Sequence, residues 1–176
     1  MQNILVVVDM QNDFVSGALG SREAESIVEP IREKVLSFEG KVIFTRDTHE
    51  ENYLETEEGR NLPVPHCIRN TKGWEIVKCL QGLRNSMIID KPTFGSTVLG
   101  EVLRSLDREE KIGTVTLCGL CTDICVISNA LLAKAFLPDA HIAVDASLSR
   151  GVSAQSHRTA LEAMKSCQIE ITGEQE

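Results

Sequence analysis

Residues 113–126 of this chain have the sequence GTVTLCGLCTDICV. The apolar run that opens the segment is typical of a buried strand, and Gly119 allows the chain to turn after it. Apolar residues at helical spacing follow the turn, and either Thr122 or Asp123 has a side chain suited to cap a helix. The segment therefore predicts a buried strand, a tight turn and a helix.

Cys125 falls in the first turn of this predicted helix. The unpaired backbone N–H groups and the positive end of the helix dipole at that position favour a thiolate over a thiol. A thiolate at a strand-to-helix turn lies above the sheet, where a substrate can reach it as a nucleophile. The alternative is that Cys125 is a small buried hydrophobic residue without a catalytic role.

The bulk composition is that of an ordinary globular protein and disfavours several kinds of partner. A chain of 176 residues predicts a single domain, residues 1–176, that buries a core without disulfides. The net charge of −8 and the lack of a basic run disfavour nucleic acid or a membrane surface as a partner. The N-terminus lacks the features of a signal peptide, so we expect a cytoplasmic protein whose six cysteines are reduced thiols.

Strand-like and helix-like segments alternate along the chain. Apolar or β-branched runs predict six strands, at residues 4–8, 41–45, 86–90, 113–118, 141–144 and 167–172. Helical patterns occur at 22–38, 74–80 and 96–106, after residue 122 and after Ser153, whereas residues 50–61 are predicted to form a polar loop. This alternation predicts an α/β fold of Rossmann-like type, with three α/β/α layers and a six-stranded parallel sheet. With the common strand order 3-2-1-4-5-6, the order reverses between the first and fourth strands, where ligands bind.

Four strands deliver reactive residues to that point of reversal. Asp9, Asp47 and Lys91 follow the first three strands, and the turn before Cys125 follows the fourth, so we expect one pocket. In it, Asp9 is a candidate base for the thiol and Lys91 a cation that balances the charges. Attack on an amide carbonyl would create an oxyanion, which the backbone N–H groups of Cys121 and Cys125 are placed to receive. The alternative is a salt bridge at the strand ends beside a buried thiol.

A second cluster of candidate ligands lies between the second and third strands. Asp47, His49 and His66 offer a carboxylate and two imidazoles, a set that suits zinc, iron or manganese. The polar loop between the two histidines can supply a fourth ligand. The candidates, in order of preference, are Glu58 and then Glu55 or Glu57. The sequence therefore predicts a divalent metal, with zinc favoured.

The remaining cysteine and histidine patterns carry weaker signals. Cys118 and Cys121 match the C-x-x-C spacing of thiol redox proteins, but Cys118 ends a strand instead of lying exposed at a helix start. His141 and His157 are expected to have structural roles. A thiol redox function is therefore the less favoured alternative.

Several of these segments match, in order, the motifs of a known family. They are residues 8–14 (VDMQNDF), 47–49 (DTH), 63–67 (PVPHC), Lys91 with Phe94, 119–126 (GLCTDICV), and 145–150 (DASLSR) with His157. Taken together they resemble the isochorismatase-like cysteine hydrolases, and among these the nicotinamidases most. The resemblance covers nearly the whole chain.

The resemblance implies a six-stranded parallel sheet and a catalytic triad of Asp9, Lys91 and Cys125 that cleaves the C–N bond of a small amide through a thioester. It also implies a cis peptide bond between Leu120 and Cys121, and a homo-oligomer such as a dimer or tetramer. The isochorismatases that give the family its name lack the cysteine, so Cys125 speaks against vinyl-ether hydrolysis.

The substrate favoured by this resemblance is nicotinamide, whose pyridine nitrogen is held by the metal in the family. Because aromatic rings stack on aromatic side chains, Phe14, Tyr53 and Phe94 are candidate walls of the substrate pocket. Two departures from the family are that Cys121 replaces a usual alanine and that only acids lie between His49 and His66, so Glu58 must serve where the family often has a third metal histidine. The alternatives are hydrolysis of another small amide, such as an N-carbamoyl or ureido compound, and a non-catalytic protein with the same fold.

Overall fold

The aliphatic run at residues 4–8 is the centre of the structure, a computed structural model that describes residues 1–174. All five side chains are fully buried, because they belong to a parallel sheet that is covered on both faces. The strands are β1 (Gln2–Val8), β2 (Lys41–Asp47), β3 (Met87–Lys91), β4 (Ile112–Leu120), β5 (His141–Arg150) and β6 (Glu170–Thr172). Neighbouring strands are parallel, and their order is β3-β2-β1-β4-β5-β6. The predicted sheet and strand order are therefore confirmed.

Helices cover both faces of this sheet, as the predicted three-layer arrangement requires. They are α1 (Asn12–Val15), α2 (Arg22–Ser26), α3 (Val28–Ser37), α4 (Glu57–Asn61), α5 (Thr97–Glu109), α6 (Ile127–Phe136) and α7 (Ala154–Ser166). On one face Ile4 and Val6 share a core with α5, α6 and α7, and on the other Leu5 and Val7 share a core with α2 and α3. Within residues 1–174 no helix is long and apolar enough to cross a membrane.

Two of the predicted helices differ from those in the structure. The pattern at 22–38 is divided between α2 and α3, and Pro30 lies in the first turn of α3, where backbone N–H groups need no helical partner. The segment 74–80 is helical only in a final 3₁₀ turn, because Ile76 pairs with Gln11 in an isolated β-bridge. Tertiary pairing thus overrides a short helical pattern.

Gly119 lies inside β4 and not in the turn that follows it. Its φ of +117° is in the region that favours glycine, and an added Cβ atom would lie 2.1 Å from the carbonyl oxygen of Val8 on β1. A glycine is therefore needed where the two central strands meet at their carboxyl ends. The peptide bond between Leu120 and Cys121 at the end of β4 is cis, as the family resemblance implies.

A π-helical turn, Thr122–Val126, connects β4 to α6. No side chain caps this turn, so the prediction of a cap at Thr122 or Asp123 is wrong. The Thr122 hydroxyl instead lies 2.8 Å from Nδ1 of His157, and the Asp123 carboxylate accepts a hydrogen bond from the Val152 N–H group. Both side chains are directed to α7 and the segment before it, and they fix the turn from outside.

We expect Gly119→Ala to lower the free energy of unfolding by about 3 kcal/mol or more, because the new Cβ atom clashes with β1 and φ is unfavourable. Urea denaturation would measure the change. Gly113→Ala on the same strand is the matched control, since its Cβ atom would have its nearest neighbour at an ordinary 3.5 Å. Similar stability losses in the two variants would contradict the prediction.

Candidate active site

Four side chains meet beyond the carboxyl ends of β1 to β4, where the strand order reverses. Asp9 follows β1, Asp47 ends β2, Lys91 ends β3, and Cys125 lies in the π-helical turn after β4. Each of them is at most 4% exposed. The structure therefore brings together the residues that the sequence predicted to share one pocket.

The Lys91 ammonium group is the centre of this cluster. Its Nζ atom is 2.6 Å from Oδ2 of Asp9, 3.3 Å from Oδ1 of Asp47 and 3.5 Å from Sγ of Cys125. Burial lowers the pKa of Lys91, but its interactions with Asp9, Cys125 and Asp47, above all the Asp9 carboxylate, outweigh burial and hold that pKa above its usual range. Lys91 is therefore a cation at neutral pH, with the partners that a buried charge requires.

Asp9 has surroundings that suit a proton acceptor. Its Oδ1 atom accepts a hydrogen bond of 2.7 Å from the Thr45 hydroxyl, and its Oδ2 atom faces Lys91. Complete burial raises the pKa of the Asp9 carboxyl above its usual value, although the charge of Lys91 opposes the shift. A carboxylate with a raised pKa binds a proton more readily than an exposed one.

The Cys125 thiol differs from the sequence-based expectation in its protonation state. Burial raises the pKa of the thiol well above its usual range, the Asp9 carboxylate raises it further, and Lys91 opposes both. The prediction of a resting thiolate is therefore wrong, because loss of water outweighs the field of the helix end. The buried neutral thiol needs a base to take its proton, and the candidate is Asp9, which contacts the same Lys91 Nζ atom as the thiol.

Two backbone N–H groups at this turn, those of Cys121 and Cys125, are the predicted donors to an oxyanion. The neighbouring N–H groups of Ile124 and Val126 donate to the Cys121 carbonyl at 3.1 and 3.0 Å, which fixes the shape of the turn. Cys121 and Cys125 both line the cavity described below, so their N–H groups stay the candidate donors to a bound oxygen atom.

A cluster of four potential metal ligands lies beside Lys91. Its members are Asp47, His49, Glu58 and His66, and their ligand atoms all lie within 4.8 Å of one another. Nε2 of His49 is 3.0 Å from the Asp47 carboxylate and 3.5 Å from that of Glu58. Nε2 of His66 is 3.8 and 3.6 Å from the same two groups. Tetrahedral zinc ligands are about 3.3–3.6 Å apart for bonds of roughly 2.0–2.2 Å, so the cluster fits a small divalent metal.

The surroundings of the two histidines also favour a cation in this cluster. Nδ1 of His66 lies 2.8 Å from the carbonyl oxygen of Val64, so this nitrogen donates a hydrogen bond there, and Nε2 is the ring nitrogen that faces the cluster. Burial lowers the pKa of His49, but its contacts with Asp47 and Glu58 raise that pKa to about 9. The two carboxylates thus attract positive charge to the point where the ligand atoms converge.

Glu58 is the glutamate of the predicted loop that joins the cluster. It lies in the first turn of α4, which begins there because the Thr56 hydroxyl accepts a hydrogen bond from the Gly59 N–H group. Glu55 and Glu57, the other two candidates, are exposed and lie outside the cluster. The formation of α4 within the polar loop therefore decides which carboxylate faces the histidines.

Asp47 belongs to both clusters, since Oδ1 faces Lys91 and Oδ2 faces His49. Burial raises the pKa of Asp47, but His49 and Lys91 lower it below its usual value, so the side chain is ionised. The buried Gln11 side chain holds the Asp47 backbone by accepting from its N–H group at 2.7 Å and donating to its carbonyl at 2.8 Å. Gln11 is not among the site residues predicted from the sequence. Its position in the family motif at residues 8–14 was the feature that could have indicated its role.

A cavity of about 910 Å³ opens above Cys125 and the four-ligand cluster. Phe14 and Phe94 line it, as predicted, but Tyr53 does not. The Tyr53 side chain is 1% exposed, and its ring centroid lies 4.7 Å from that of His49. The prediction of Tyr53 as a pocket wall is therefore wrong, because its ring packs behind the imidazoles and supports them from the protein interior.

Several walls of the cavity had no individual signal in the sequence. They are Leu19, Ala24, Leu120, Ile124, Arg150 and Val152. These residues come from segments far apart in the chain, which only the packing of helices onto the sheet brings together. Arg150 lies in the family motif at residues 145–150, and that motif was the signal that could have found it.

Comparison with known proteins identifies the family. Residues 3–176 match the isochorismatase domain, so the chain belongs to the isochorismatase family. The nicotinamidase of Schizosaccharomyces pombe is 28% identical over an alignment of 211 positions, which covers 98% of this chain and 93% of that protein. A structure of Pyrococcus horikoshii pyrazinamidase in complex with zinc is 31% identical, covers 98% of this chain and 99% of its own, and has a TM-score of 0.82. A structure of the nicotinamidase/pyrazinamidase of Bacillus subtilis is 27% identical and has a TM-score of 0.83. The match covers 98% of this chain and 100% of that chain.

These similarities confirm the predicted class of protein. The chain is a hydrolase of the isochorismatase family, with the fold of its nicotinamidase and pyrazinamidase relatives. The prediction of a divalent metal is also confirmed, because the chain carries a fitting ligand cluster and a close structural neighbour contains zinc.

We expect Glu58→Gln to weaken zinc binding at least about tenfold, because the substitution removes a charged ligand. Competition with a chromophoric chelator would measure the dissociation constant. Glu57→Gln, on the same helix but exposed, is the matched control and should bind zinc as the unchanged protein does. Equal affinities for the two variants would show that Glu58 is not a ligand.

Proposed function

We propose that this protein hydrolyses nicotinamide to nicotinate and ammonia, with Cys125 as the nucleophile and a thioester as the intermediate. One arrangement carries the proposal: Asp9, Lys91 and Cys125 are in contact beneath a cavity with aromatic walls and a metal-ligand cluster at its side. The relatives named nicotinamidase and pyrazinamidase support the same substrate class.

Formation of the thioester begins with transfer of the Cys125 proton to Asp9. The sulfur then attacks the amide carbon, and the new S–C bond leaves a negative charge on the former carbonyl oxygen. The backbone N–H groups of Cys121 and Cys125 donate hydrogen bonds to this oxyanion. As the C–N bond breaks, Asp9 returns its proton to the nitrogen, which leaves as ammonia. Lys91 keeps the cluster balanced in charge throughout.

Hydrolysis of the thioester uses the same residues in the same roles. A water molecule transfers a proton to Asp9 and attacks the thioester carbonyl. The resulting oxyanion again accepts hydrogen bonds from the N–H groups of Cys121 and Cys125. The C–S bond then breaks, the sulfur of Cys125 takes the proton back from Asp9, and nicotinic acid is released. Asp9 therefore acts alternately as base and acid, a task for which its raised pKa is suited.

The metal site has a separate, substrate-binding role in this proposal. Asp47, His49, Glu58 and His66 would hold the ion at the side of the cavity. When bound, the metal supplies a coordination position for a ring nitrogen of the substrate. Phe14, whose ring centroid is 5.4 Å from that of His66, presents an aromatic surface next to that position.

The lining of the cavity favours an aromatic amide over an N-carbamoyl or ureido compound. A carbamoyl substrate with a charged group would need a free cation or several free donors. Arg150 borders the cavity and would have to serve as that cation, with its Nη1 atom held by three backbone carbonyl groups of β5. Phe14, Phe94 and Ile124 instead offer apolar surface, on which a pyridine ring stacks.

Neither of the other two alternatives gains support from the positions of the residues. A dithiol function would need Cys118 to be accessible, yet this side chain is fully buried in β4 and burial raises its pKa. A non-catalytic role would leave the buried contacts of Asp9, Lys91 and Cys125 without a purpose. Such charged clusters are costly to bury and are typical of active sites.

The assembly and location of the protein belong to the same proposal. The family resemblance implies a dimer or tetramer, which size-exclusion chromatography with light scattering would measure.

All six cysteines are free thiols, a state that suits the reducing cytoplasm we expect. Fractionation of cells that express the protein would test the location.

We expect the metal-loaded protein to release ammonia from nicotinamide, and Cys125→Ala to reduce this turnover at least about 10⁴-fold while the fold is retained. A coupled ammonia assay and circular dichroism would measure the two properties. Cys79→Ala, which removes an exposed thiol, is the control and should keep full activity. Turnover by Cys125→Ala would exclude the thioester route. Absence of turnover by the unsubstituted, metal-loaded protein would exclude nicotinamide as the substrate.

We expect kcat/KM to rise with pH through the pKa of Asp9, because only the ionised carboxylate can accept the thiol proton. Burial raises this pKa, so the acidic limb should lie above the usual aspartate value of 3.8. Activity and metal content should be measured together at each pH, since loss of zinc would also lower the rate. A profile that stays flat down to pH 3.8 in folded, metal-loaded protein would contradict Asp9 as the base.

A further inference from the structure

Asn129 is a fully buried amide in the first turn of α6, four residues after Cys125. Its Nδ2 atom donates to the carbonyl groups of Cys125 at 2.8 Å and of Phe94 at 3.0 Å, and its Oδ1 atom accepts from the Ser96 N–H group at 2.9 Å. Both amide protons are used. The orientation of the amide is fixed, because a flipped NH₂ group would face the Ser96 donor.

The segment that Asn129 holds, residues 93–96, forms part of the candidate active site. The carbonyl group of Thr93 accepts a hydrogen bond of 3.2 Å from Lys91 Nζ, and Phe94 is a wall of the cavity. Gly95 lies so close to α6 that an added Cβ atom would be 2.7 Å from the Leu132 side chain. The segment thus connects Lys91 and the cavity wall to the helix that follows the nucleophile.

These contacts form a closed ring around the reactive atoms. Lys91 Nζ contacts both Cys125 Sγ and the Thr93 carbonyl, while Asn129 joins the next carbonyl, that of Phe94, to the backbone of Cys125. We propose that Asn129 is a positioning residue that sets the distance between Cys125 and Lys91 and the placement of the Phe94 wall. The inference rests on the proposed function, since it takes Cys125 and Lys91 as the reacting pair.

The geometry favours a positioning role over a purely structural one. Helix α6 is held independently by core residues such as Ala130 and Ala133, so it does not need Asn129 to remain on the sheet. The segment 93–96 has no comparable apolar anchor, because Phe94 is 44% exposed. Loss of the amide should therefore displace this segment relative to Cys125 more than it loosens the helix.

The first test is Asn129→Asp, which has the same shape and keeps the acceptor for Ser96 but replaces both donors with a second oxygen. We expect kcat for nicotinamide to fall about tenfold or more, with a smaller change in KM, because small misplacements of reacting groups slow the chemical step. Ser128→Ala is the matched control, since it removes a side-chain bond that stays within its own helical segment, to the carbonyl of Ile124. Its kcat should stay within about twofold.

A second readout does not depend on nicotinamide being the substrate. Alkylation of Cys125 by iodoacetamide, followed by peptide mass spectrometry over a range of pH, reports how Lys91 acts on the thiol. Because Lys91 lowers the pKa of Cys125, we expect its displacement in Asn129→Ala, which adds no charge of its own, to move the midpoint of alkylation to higher pH. A shift in a protein that does not hydrolyse nicotinamide would leave the inference intact and overturn only the proposed substrate.

Two outcomes would overturn the inference. The first is an unchanged kcat in folded Asn129→Asp together with an unchanged alkylation midpoint in folded Asn129→Ala. The second is an equal effect in Ile31→Ala, a core substitution on the opposite face of the sheet, at a matched loss of thermal stability. Should Asn129→Asp fail to fold, Asn129→Ala removes the donors without adding an opposing oxygen, and the same two readouts decide.

Discussion

The ion pairs of the buried Lys91 ammonium group are the interaction on which the site depends. The lysine is 1% exposed, and Asp9 and Asp47 are its negatively charged partners. Removing one member of a buried ion pair typically costs about 3–5 kcal/mol, because the other charge stays buried without a partner. The three residues lie at the carboxyl ends of three adjacent strands. The charge balance of the site therefore depends on the arrangement of the parallel sheet.

Asp47 extends this dependence to the metal-ligand cluster. One of its carboxylate oxygens faces Lys91 and the other faces His49, while Gln11 holds its backbone from both sides. A substrate held at the metal would therefore be aligned by the same residue that neighbours the reacting cation. In the proposed function the metal binds the substrate and the thiol cleaves its C–N bond. The Asp47 carboxylate connects these two parts of the site.

Burial sets the chemistry as well as the position of Cys125. For the buried Cys125 side chain, a thiol is more stable than a thiolate, and the proposed reaction begins only when Asp9 accepts the proton. The same burial would strengthen hydrogen bonds from the backbone N–H groups of Cys121 and Cys125 to a developing oxyanion. A resting thiol next to a base of raised pKa is thus the expected form of such a nucleophile.

Much of the fold and of the site could be predicted from the sequence because these features depend on local patterns. The run at residues 4–8 is apolar throughout, as a strand buried on both faces must be, and alternation with helices leads to the parallel sheet. In such a sheet the carboxyl ends of adjacent strands share one edge. The proximity of Asp9, Lys91 and Cys125 therefore followed from the order of the strands.

Other features depend on contacts between segments that the sequence does not pair. The cap of α4 turns Glu58 and not Glu57 toward the histidines, and Tyr53 packs behind the imidazoles instead of lining the cavity. By itself, the sequence determined which residues reach the reactive edge of the sheet. Tertiary structure alone decided which side chains face the cavity and that Cys125 rests as a thiol, because burial and orientation arise only when distant segments pack together.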